Sequence, residues 1–194
     1  MGKLVVQQFV SLDGFAANAD GDFTVFDGVT AATHHFDSSN LAWLRSVDAI
    51  VFGARTYRQF ADYWPTMTDT EQIVASRINA LPKIVFSHSL ADAPWGEHTP
   101  AEVDRGDAVD GVLRLKRRFA GDLIVWGSLS LTAALFDADV VDVVRLVVAP
   151  SILGSGRPVF PPSFAGSRLR LLSAAAFDGT LVESEYEVVR EALS

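Results

Sequence analysis

Two short segments of the sequence share a construction that favours anion binding. In residues 51–57 and 125–131, an apolar run ends at a glycine and is followed by hydroxyl-bearing side chains and a helical pattern. The first amide groups of a helix have no partner within it and lie at the positive end of its dipole, and glycine lets a ligand approach the backbone. The pattern predicts two phosphate-binding turns. Their predicted binding residues are Gly53, Ala54, Arg55 and Thr56 in the first turn and Gly127, Ser128, Leu129 and Ser130 in the second.

A third strand end could complete a dinucleotide site. In a parallel sheet the carboxyl ends of the strands share one edge, so the two turns could hold a pyrophosphate from two sides. Ser87 and His88 follow another apolar run and are predicted, with the guanidinium of Arg55, to contact an adenine ribose and its 2′-phosphate. The alternative is that these segments are only tight connections, because neither glycine turn matches G-x-G-x-x-G or the P-loop pattern.

Asp13 is the candidate for a catalytic role. It directly follows the first predicted strand and precedes a glycine-bearing loop, residues 16–27, that is predicted to be mobile. A carboxylate at that position could orient a substrate or pass a proton. An Asx turn that closes the strand accounts for the same residue. Phe9 and Trp64 are the predicted walls of a substrate pocket.

The histidines and Ser128 raise two other chemistries, metal binding and hydrolysis. His34 and His35 are adjacent and therefore about 100° apart on a helix, so they cannot both bind one metal ion, and no metal site is predicted. Ser128 lies on a strand-to-helix turn, like a hydrolase nucleophile, but the G-x-S-x-G pattern fails because positions 129 and 131 are leucine. A serine hydrolase acting through Ser128 stays an alternative.

The elements that must position these residues alternate between strand and helix. This alternation predicts a three-layer α/β fold with a mostly parallel sheet. At the C-terminus, Asp178-Gly179 separates two strand patterns, 169–175 and 181–189, which predicts an antiparallel hairpin at the sheet edge. Helices are predicted at 33–47, after Gly53, at 70–81, 109–119 and 129–138, strands at 4–10, 49–52, 83–86, 122–126 and 142–149, and a loop with room for a short strand at 89–107.

Composition excludes several classes of function. The chain has 194 residues, which predicts one domain spanning residues 1–194, and its net charge of −8 argues against a nucleic-acid surface. It contains no cysteine, so disulfides and thiolate metal sites are excluded. Neither a signal peptide nor a membrane span is recognisable, and a cytoplasmic location is expected.

Six segments in order carry a resemblance to a known family. The chain resembles the dihydrofolate-reductase-like proteins related to the C-terminal reductase domain of the bacterial riboflavin-biosynthesis deaminase/reductase. The segments are residues 11–16, 48–57, 63–65, 83–87, 124–131 and 142–150 with 153–160, and the resemblance covers nearly the whole chain. The resemblance implies a mixed sheet of eight or nine strands, hydride transfer from a nicotinamide, and often a homodimer. It also implies that the two glycine turns hold the diphosphate of NADPH.

The chain departs from this family at two points. Many relatives read Gly-Arg-x-Thr where this chain has Gly53-Ala54-Arg55-Thr56, so the arginine is displaced by one position and NADH becomes possible beside NADPH. The carboxylate that dihydrofolate reductase carries in its first helix has no aligned match, although Asp37 lies in that region.

The sequence as a whole predicts an NAD(P)H-dependent reductase of a small C=N or C=O substrate, similar to 5-amino-6-(5-phosphoribosylamino)uracil reductase. Pterin-like and pyrimidine-like compounds are the expected substrate types. The alternative from another class is a dinucleotide-binding protein without catalytic activity. A homodimer is expected, and neither nucleic acid nor membrane is an expected partner.

Overall fold

In the computed structural model, which describes residues 2–27, 34–160, 164 and 166–190, eight strands of this part of the chain form one mixed sheet. The chain order is β1 (Leu4–Val10), β2 (Phe15–Ala17), β3 (Val47–Gly53), β4 (Lys83–Phe86), β5 (Glu102–Asp104), β6 (Asp122–Trp126), β7 (Val143–Val148), β8 (Arg157–Pro158), β9 (Arg168–Phe177) and β10 (Leu181–Val189). The sheet order is β5-β4-β3-β6-β1-β7-β10-β9. Every neighbouring pair from β5 to β7 is parallel, and β10 pairs antiparallel with both β7 and β9. The predicted parallel body and antiparallel edge are confirmed.

Helices cover both faces of the sheet. They are α1 (His34–Trp43), α2 (Ala54–Tyr63), α3 (Ala75–Ala80), α4 (Ala108–Arg118) and α5 (Leu129–Asp137). Alternate residues of β3 bury on opposite sides: Val51 packs in the core that holds α4 and α5, and Ile50 in the core that holds α2 and α3. This period-two burial on both faces explains why the strands read as continuous apolar runs.

Helix α3 is shorter than the sequence predicts. A helix over 70–81 was expected, but it begins only at Ala75. The carboxylate of Asp69 accepts the backbone N–H of Ser76, and that of Glu71 accepts the backbone N–H of Thr68. Such side-chain to backbone bonds compete with helix formation, so residues 68–74 form turns instead.

The connection at 89–107 is anchored by one buried indole. Trp95 is fully buried, stacks 6.1 Å from the ring of Phe52 and donates from Nε1 to Oδ1 of Asn79 at 2.8 Å. The short strand expected in this segment is β5, at the far edge of the sheet.

A small two-stranded ribbon was not predicted. β2 pairs with β8, which brings the loop after β1 against a segment some 140 residues later in the chain. Both strands are too short, at three and two residues, to show a period in the sequence. The ribbon positions Arg157 beside the loop that follows β2.

No helix among the described residues is long and apolar enough to cross a membrane.

Strand β9 is the exposed edge of the sheet. Residues 168–176 are all exposed, and Leu171 keeps 55% of its surface. An apolar edge strand is a template for pairing with another strand. Arg168 and Arg170 lie near one end of β9 and alanines 174–176 near the other. Antiparallel pairing of two copies would therefore keep the arginines apart.

We expect the protein to form a homodimer through β9. Light scattering at tens of micromolar should give twice the 21.0 kDa mass of one chain. Leu171→Lys should give the single-chain mass, because a buried lysine opposes edge pairing. Ile73→Lys, which changes an isoleucine of 40% exposure outside β9, should remain dimeric. A single-chain mass for the unaltered protein would contradict the expectation.

Candidate functional site

A cavity of about 1120 Å³ opens at the carboxyl ends of β1, β3, β4 and β6. The residues predicted to contact phosphate or ribose all line it: Gly53, Ala54, Arg55, Thr56, Ser87, His88, Gly127, Ser128, Leu129 and Ser130. The predicted wall residues Phe9 and Trp64 line it as well. Asp13 does not line the cavity.

The two glycine turns are locked together by reciprocal hydrogen bonds. The backbone N–H of Gly53 donates to Oγ of Ser128 at 2.9 Å, and the backbone N–H of Ser128 donates to Oγ1 of Thr56 at 2.8 Å. β3 and β6 are parallel neighbours, so their carboxyl ends meet as expected. The hydroxyl groups of Ser128 and Thr56 therefore each accept from a backbone N–H of the opposite turn, and these bonds fix the spacing between the two helices.

Two residues of the second turn adopt a left-handed backbone conformation where the turns meet. Gly127 and Ser128 have φ of 55° and 52°, in the left-handed region. A non-glycine residue rarely adopts this conformation, and such outliers concentrate at ligand sites. A Cβ atom on Gly127 would lie 3.1 Å from the Thr56 side chain, so another residue there would have to displace Thr56 slightly as well as adopt the left-handed conformation.

The helices that begin at these turns lack side-chain caps. Neither Gly53 at the start of α2 nor Ser128 at the start of α5 supplies a side-chain bond to a first-turn amide. By contrast, Asp107 caps α4 by accepting from the backbone N–H groups of Val109 and Asp110. The first-turn amides of α2 and α5 are thus left for a ligand in the cavity, where the helix dipoles favour an anion.

Ser87 and His88 lie at the end of β4, on the β5 side of the first turn. Oγ of Ser87 accepts weakly from the backbone N–H groups of Ser89 and Leu90, at 3.3 and 3.2 Å. A hydroxyl that accepts two bonds still has its own proton to donate. His88 is exposed at the cavity rim.

Two arginines converge on the opposite side of the cavity. A Cβ atom on Gly21 would overlap the guanidinium groups of both Arg55 and Arg157, so both groups contact this glycine. Arg157 otherwise bonds only weakly, at 3.5 Å, to the carbonyl oxygens of Ala19 and Asp20. Within the described part of the chain, neither arginine forms an ion pair.

The contact of Arg55 with Gly21 bears on its predicted role at the ribose phosphate. Gly21 lies in the loop that follows β2, whereas Ser87 and His88 follow β4, and the sheet order places β1 and β4 on opposite sides of β3. All three side chains line the same cavity, and the shared contact with Gly21 places the Arg55 guanidinium beside that of Arg157.

An aromatic wall closes the part of the cavity over β1. The ring of Phe9 contacts Phe23, Phe26 and Phe36 edge to face, with centroid distances of 6.1, 5.1 and 5.8 Å. Edge-to-face clusters of this kind leave flat apolar faces that suit a planar ligand. Trp64 contributes a second aromatic surface, beside Phe60 at 6.2 Å.

Asp13 has a structural partner outside the cavity. Its carboxylate accepts the backbone N–H groups of Leu153 and Gly154, at 3.1 and 2.7 Å. The hydrogen bond from Ser11, together with these backbone bonds, lowers the pKa of the carboxyl. Asp13 therefore joins the turn after β1 to the segment after β7 and is not among the residues that line the cavity.

Sequence reasoning missed cavity residues that interrupt apolar patterns. Gln7 stands in the middle of β1 and Asn40 lies on α1, and both line the cavity. Asp37 of α1 also lines it, and the sequence had placed this residue only in the region of the dihydrofolate reductase carboxylate. A polar residue in an otherwise buried strand was a usable signal, since such residues are buried only with partners. The contribution of Arg157 depends on the β2–β8 ribbon and could not be read from spacing.

Two alternative chemistries find no support in this geometry. Among the described residues, no group of three or more potential ligands could hold a metal ion. Oγ of Ser128 is bonded to a backbone N–H, and its hydrogen bonds in the described structure include no imidazole or carboxylate base. A serine nucleophile requires such a base within hydrogen-bond reach.

The sheet, the locked turns and the cavity at their carboxyl ends define a dihydrofolate-reductase-like α/β fold. The chain belongs to the family described as the RibD C-terminal domain, whose model matches residues 2–182. It is 24% identical over 188 residues to the uncharacterized protein YyaP of Bacillus subtilis (strain 168), across 95% of this chain and 94% of YyaP. The resemblance found in the sequence is thus confirmed.

Solved structures match over nearly the whole chain. A protein of Shewanella sp. PV-4 named for riboflavin biosynthesis superposes with a TM-score of 0.77 at 20% identity, covering 97% of this chain and 99% of that one. Dihydrofolate reductase from Enterococcus faecalis, complexed with NADP(H), superposes with a TM-score of 0.62 at 11% identity, covering 96% of each chain. The fold is therefore reductase-like.

Replacing Asp13 should lower the stability of the fold and leave the affinity for a ligand in the cavity unchanged. Asp13→Asn keeps one acceptor oxygen and loses the charge that the two backbone N–H groups and Ser11 stabilise. We expect a lower Tm at neutral pH. Because the pKa of the carboxyl is lowered in the folded state, this difference should disappear as the pH falls below 3.8, the ordinary value.

In the same variant the Kd for NADP⁺ should stay within about threefold of the unaltered protein, a difference below 1 kcal/mol. Calorimetric melting and equilibrium titration provide the two readouts. A large loss of affinity at unchanged Tm would place Asp13 in the ligand site after all.

Proposed function

We propose that this protein is an NADPH-dependent reductase of a small planar substrate with a C=N or C=O bond, such as a pterin-like or pyrimidine-like ring. The observation that carries the proposal is the pair of uncapped helix N-termini, locked by Gly53, Thr56 and Ser128, that open on one cavity with an aromatic wall. Membership of the RibD C-terminal family and the NADP(H) complex of the similar Enterococcus faecalis enzyme support the same conclusion.

The residues present fit a dinucleotide diphosphate. The first-turn amides of α2 and α5 would donate to its oxygens, and Arg55 and Arg157 would add positive charge from the side of Gly21. Among the described residues, neither of these two guanidinium groups has a carboxylate partner, so an anion between them would offset their mutual repulsion. In a chain with a net charge of −8, this local pair is a specific feature and not part of a general basic surface.

The 2′-phosphate of NADPH is assigned to the other side of the cavity. The free hydroxyl proton of Ser87 and the exposed imidazole of His88 lie at the end of β4, beyond the first turn. These are donors suited to a phosphate, but neither carries the fixed charge of an arginine. We infer only a modest preference for NADPH over NADH.

The substrate end of the cavity lies between the Phe9 cluster and Trp64. When bound, NADPH supplies the hydride there, and the aromatic side chains orient a flat ring and exclude water. Two carboxylates line the cavity in the described structure, Asp37 and Asp107. Asp37 follows Phe36 of the aromatic wall in the chain, and we assign it to orient the substrate or hold a proton, whereas Asp107 caps α4.

Cofactor binding should be visible as thermal stabilisation. NADP⁺ at 100 times its Kd should add about 2.7 kcal/mol to the free energy of unfolding, a rise of several degrees in Tm. Arg55→Ala and Arg157→Ala should each weaken NADP⁺ and NAD⁺ equally, by about 1.5 to 3 kcal/mol, because both dinucleotides share the diphosphate.

Arg58→Ala is the matched control for these variants. Arg58 is exposed on α2 and does not line the cavity, so its removal should leave both affinities unchanged. No shift of Tm with millimolar NADP⁺ or NAD⁺ would refute the dinucleotide site. Tight binding with no oxidation of NADPH by any planar C=N or C=O compound would instead favour a binding protein without catalytic activity.

A further inference from the structure

A row of polar side chains crosses the buried centre of the sheet beside the proposed substrate cavity. Gln7 of β1 is in register with Trp126 of β6 on one side and with Arg145 of β7 on the other. Gln7 and Arg145 are each only 1% exposed. Burying polar groups to this degree costs free energy unless they are hydrogen-bonded, so the partners of each group in this row need to be identified.

The chemistry of its neighbours fixes how the Gln7 amide is oriented. Nε1 of Trp126 donates to Oε1 of Gln7 at 2.8 Å, and a guanidinium nitrogen of Arg145 approaches the same oxygen at 3.5 Å. Indole and guanidinium groups can only donate, so the amide oxygen must face them. The amide nitrogen is therefore the other end, and in the described structure it is buried without a hydrogen-bond partner.

A second amide is oriented by the same arginine. The guanidinium nitrogen of Arg145 that approaches Gln7 also donates to Oδ1 of Asn40 at 2.9 Å. By the same reasoning the NH₂ group of Asn40 is turned away from Arg145. Gln7 and Asn40 both line the cavity, close to the aromatic wall that includes Phe9 and Phe36.

Arg145 is itself held rigidly and its charge is balanced. Glu183 accepts from it at 2.6 Å, Glu185 lies 4.0 Å away, and the guanidinium lies 4.2 Å from the centre of the Trp43 ring. The nearby carboxylates offset the positive charge, so the cluster offers hydrogen-bond donors without a net attraction for anions. A neutral acceptor, such as a ring carbonyl, suits it better than a carboxylate or a phosphate.

We propose that the NH₂ groups of Gln7 and Asn40 form a donor pair that selects a planar ring by its carbonyl oxygens. This inference rests on the proposed function and narrows its substrate class: a lactam or imide edge is accepted, and an amino-substituted edge is refused. The NH₂ group of Gln7 is a buried donor without a partner in the described structure, and the carbonyl oxygen of a ring would satisfy it.

The test compares two rings of the same shape. Lumazine, a pteridine dione, carries carbonyl oxygens where the corresponding pteridine diamine carries amino groups. Isothermal titration of each ring should show the unaltered protein binding lumazine at least about tenfold more tightly, since exchanging one acceptor for a donor leaves the buried NH₂ group unpaired. The titrations use the protein without cofactor and again with saturating NADP⁺.

Gln7→Glu reverses the polarity at one atom. The carboxylate can still accept from Trp126 and Arg145, but it presents an acceptor to the cavity, so the preference for lumazine should fall at least about tenfold or invert. Asn40→Asp makes the same exchange on α1 and should act in the same direction. Gln59→Glu, an exposed cavity residue on α2, adds the same charge and should leave the ratio of the two affinities unchanged.

The outcomes separate this inference from the proposed function. Equal affinities for the two rings, a preference for the diamine, or no binding of either ring overturns the donor pair, even when NADP⁺ still raises the Tm. A loss of NADP⁺ affinity in Gln7→Glu with an unchanged ring preference also overturns it, because Gln7 would then face the carboxamide of the cofactor. A ring preference that depends on Gln7 and Asn40 supports the donor pair, whether or not NADPH is oxidised.

Discussion

The site depends on the pair of hydrogen bonds that ties the end of β3 to the end of β6. The backbone N–H of Gly53 donates to the hydroxyl oxygen of Ser128, and the backbone N–H of Ser128 donates to the hydroxyl oxygen of Thr56. These bonds hold Ser128 in the left-handed conformation and set two helix N-termini side by side. Without them each turn would be an ordinary connection, since one uncapped helix end is a weak anion site, whereas two fixed ends act on one ligand.

A second constraint runs across the sheet at right angles to the strands. The row formed by Trp126, Gln7 and Arg145 joins three adjacent strands under the aromatic wall and ends on the carboxylates of β10. It links the antiparallel edge, where β9 is exposed, to the centre of the cavity. The order of strands that brings the two turns together therefore also places this polar row beneath the proposed substrate cavity.

The sequence predicted what short-range patterns encode. Apolar runs, strand-end glycines and the Asp178-Gly179 dipeptide located the strands of the main sheet, both turns and the hairpin, because each signal lies within a few residues of the element it specifies. Contacts between distant segments were out of reach. The position of Arg157 depends on the β2–β8 ribbon, and the tie between Asp13 and the 153–154 backbone joins segments 140 residues apart. The chemistry of Asp13 was equally consistent with a turn, and only its partners distinguish the two roles.

The most direct measurement of the central claim is a crystal structure with NADP⁺ bound. We expect the diphosphate to lie between the first turns of α2 and α5, with oxygens about 3 Å from backbone nitrogens of both helices and with Arg55 and Arg157 on the side of Gly21. We also expect the hydrogen bonds between Gly53, Ser128 and Thr56 to persist in the complex. A diphosphate bound elsewhere, or contacts to only one helix with the two turns separated, would contradict it.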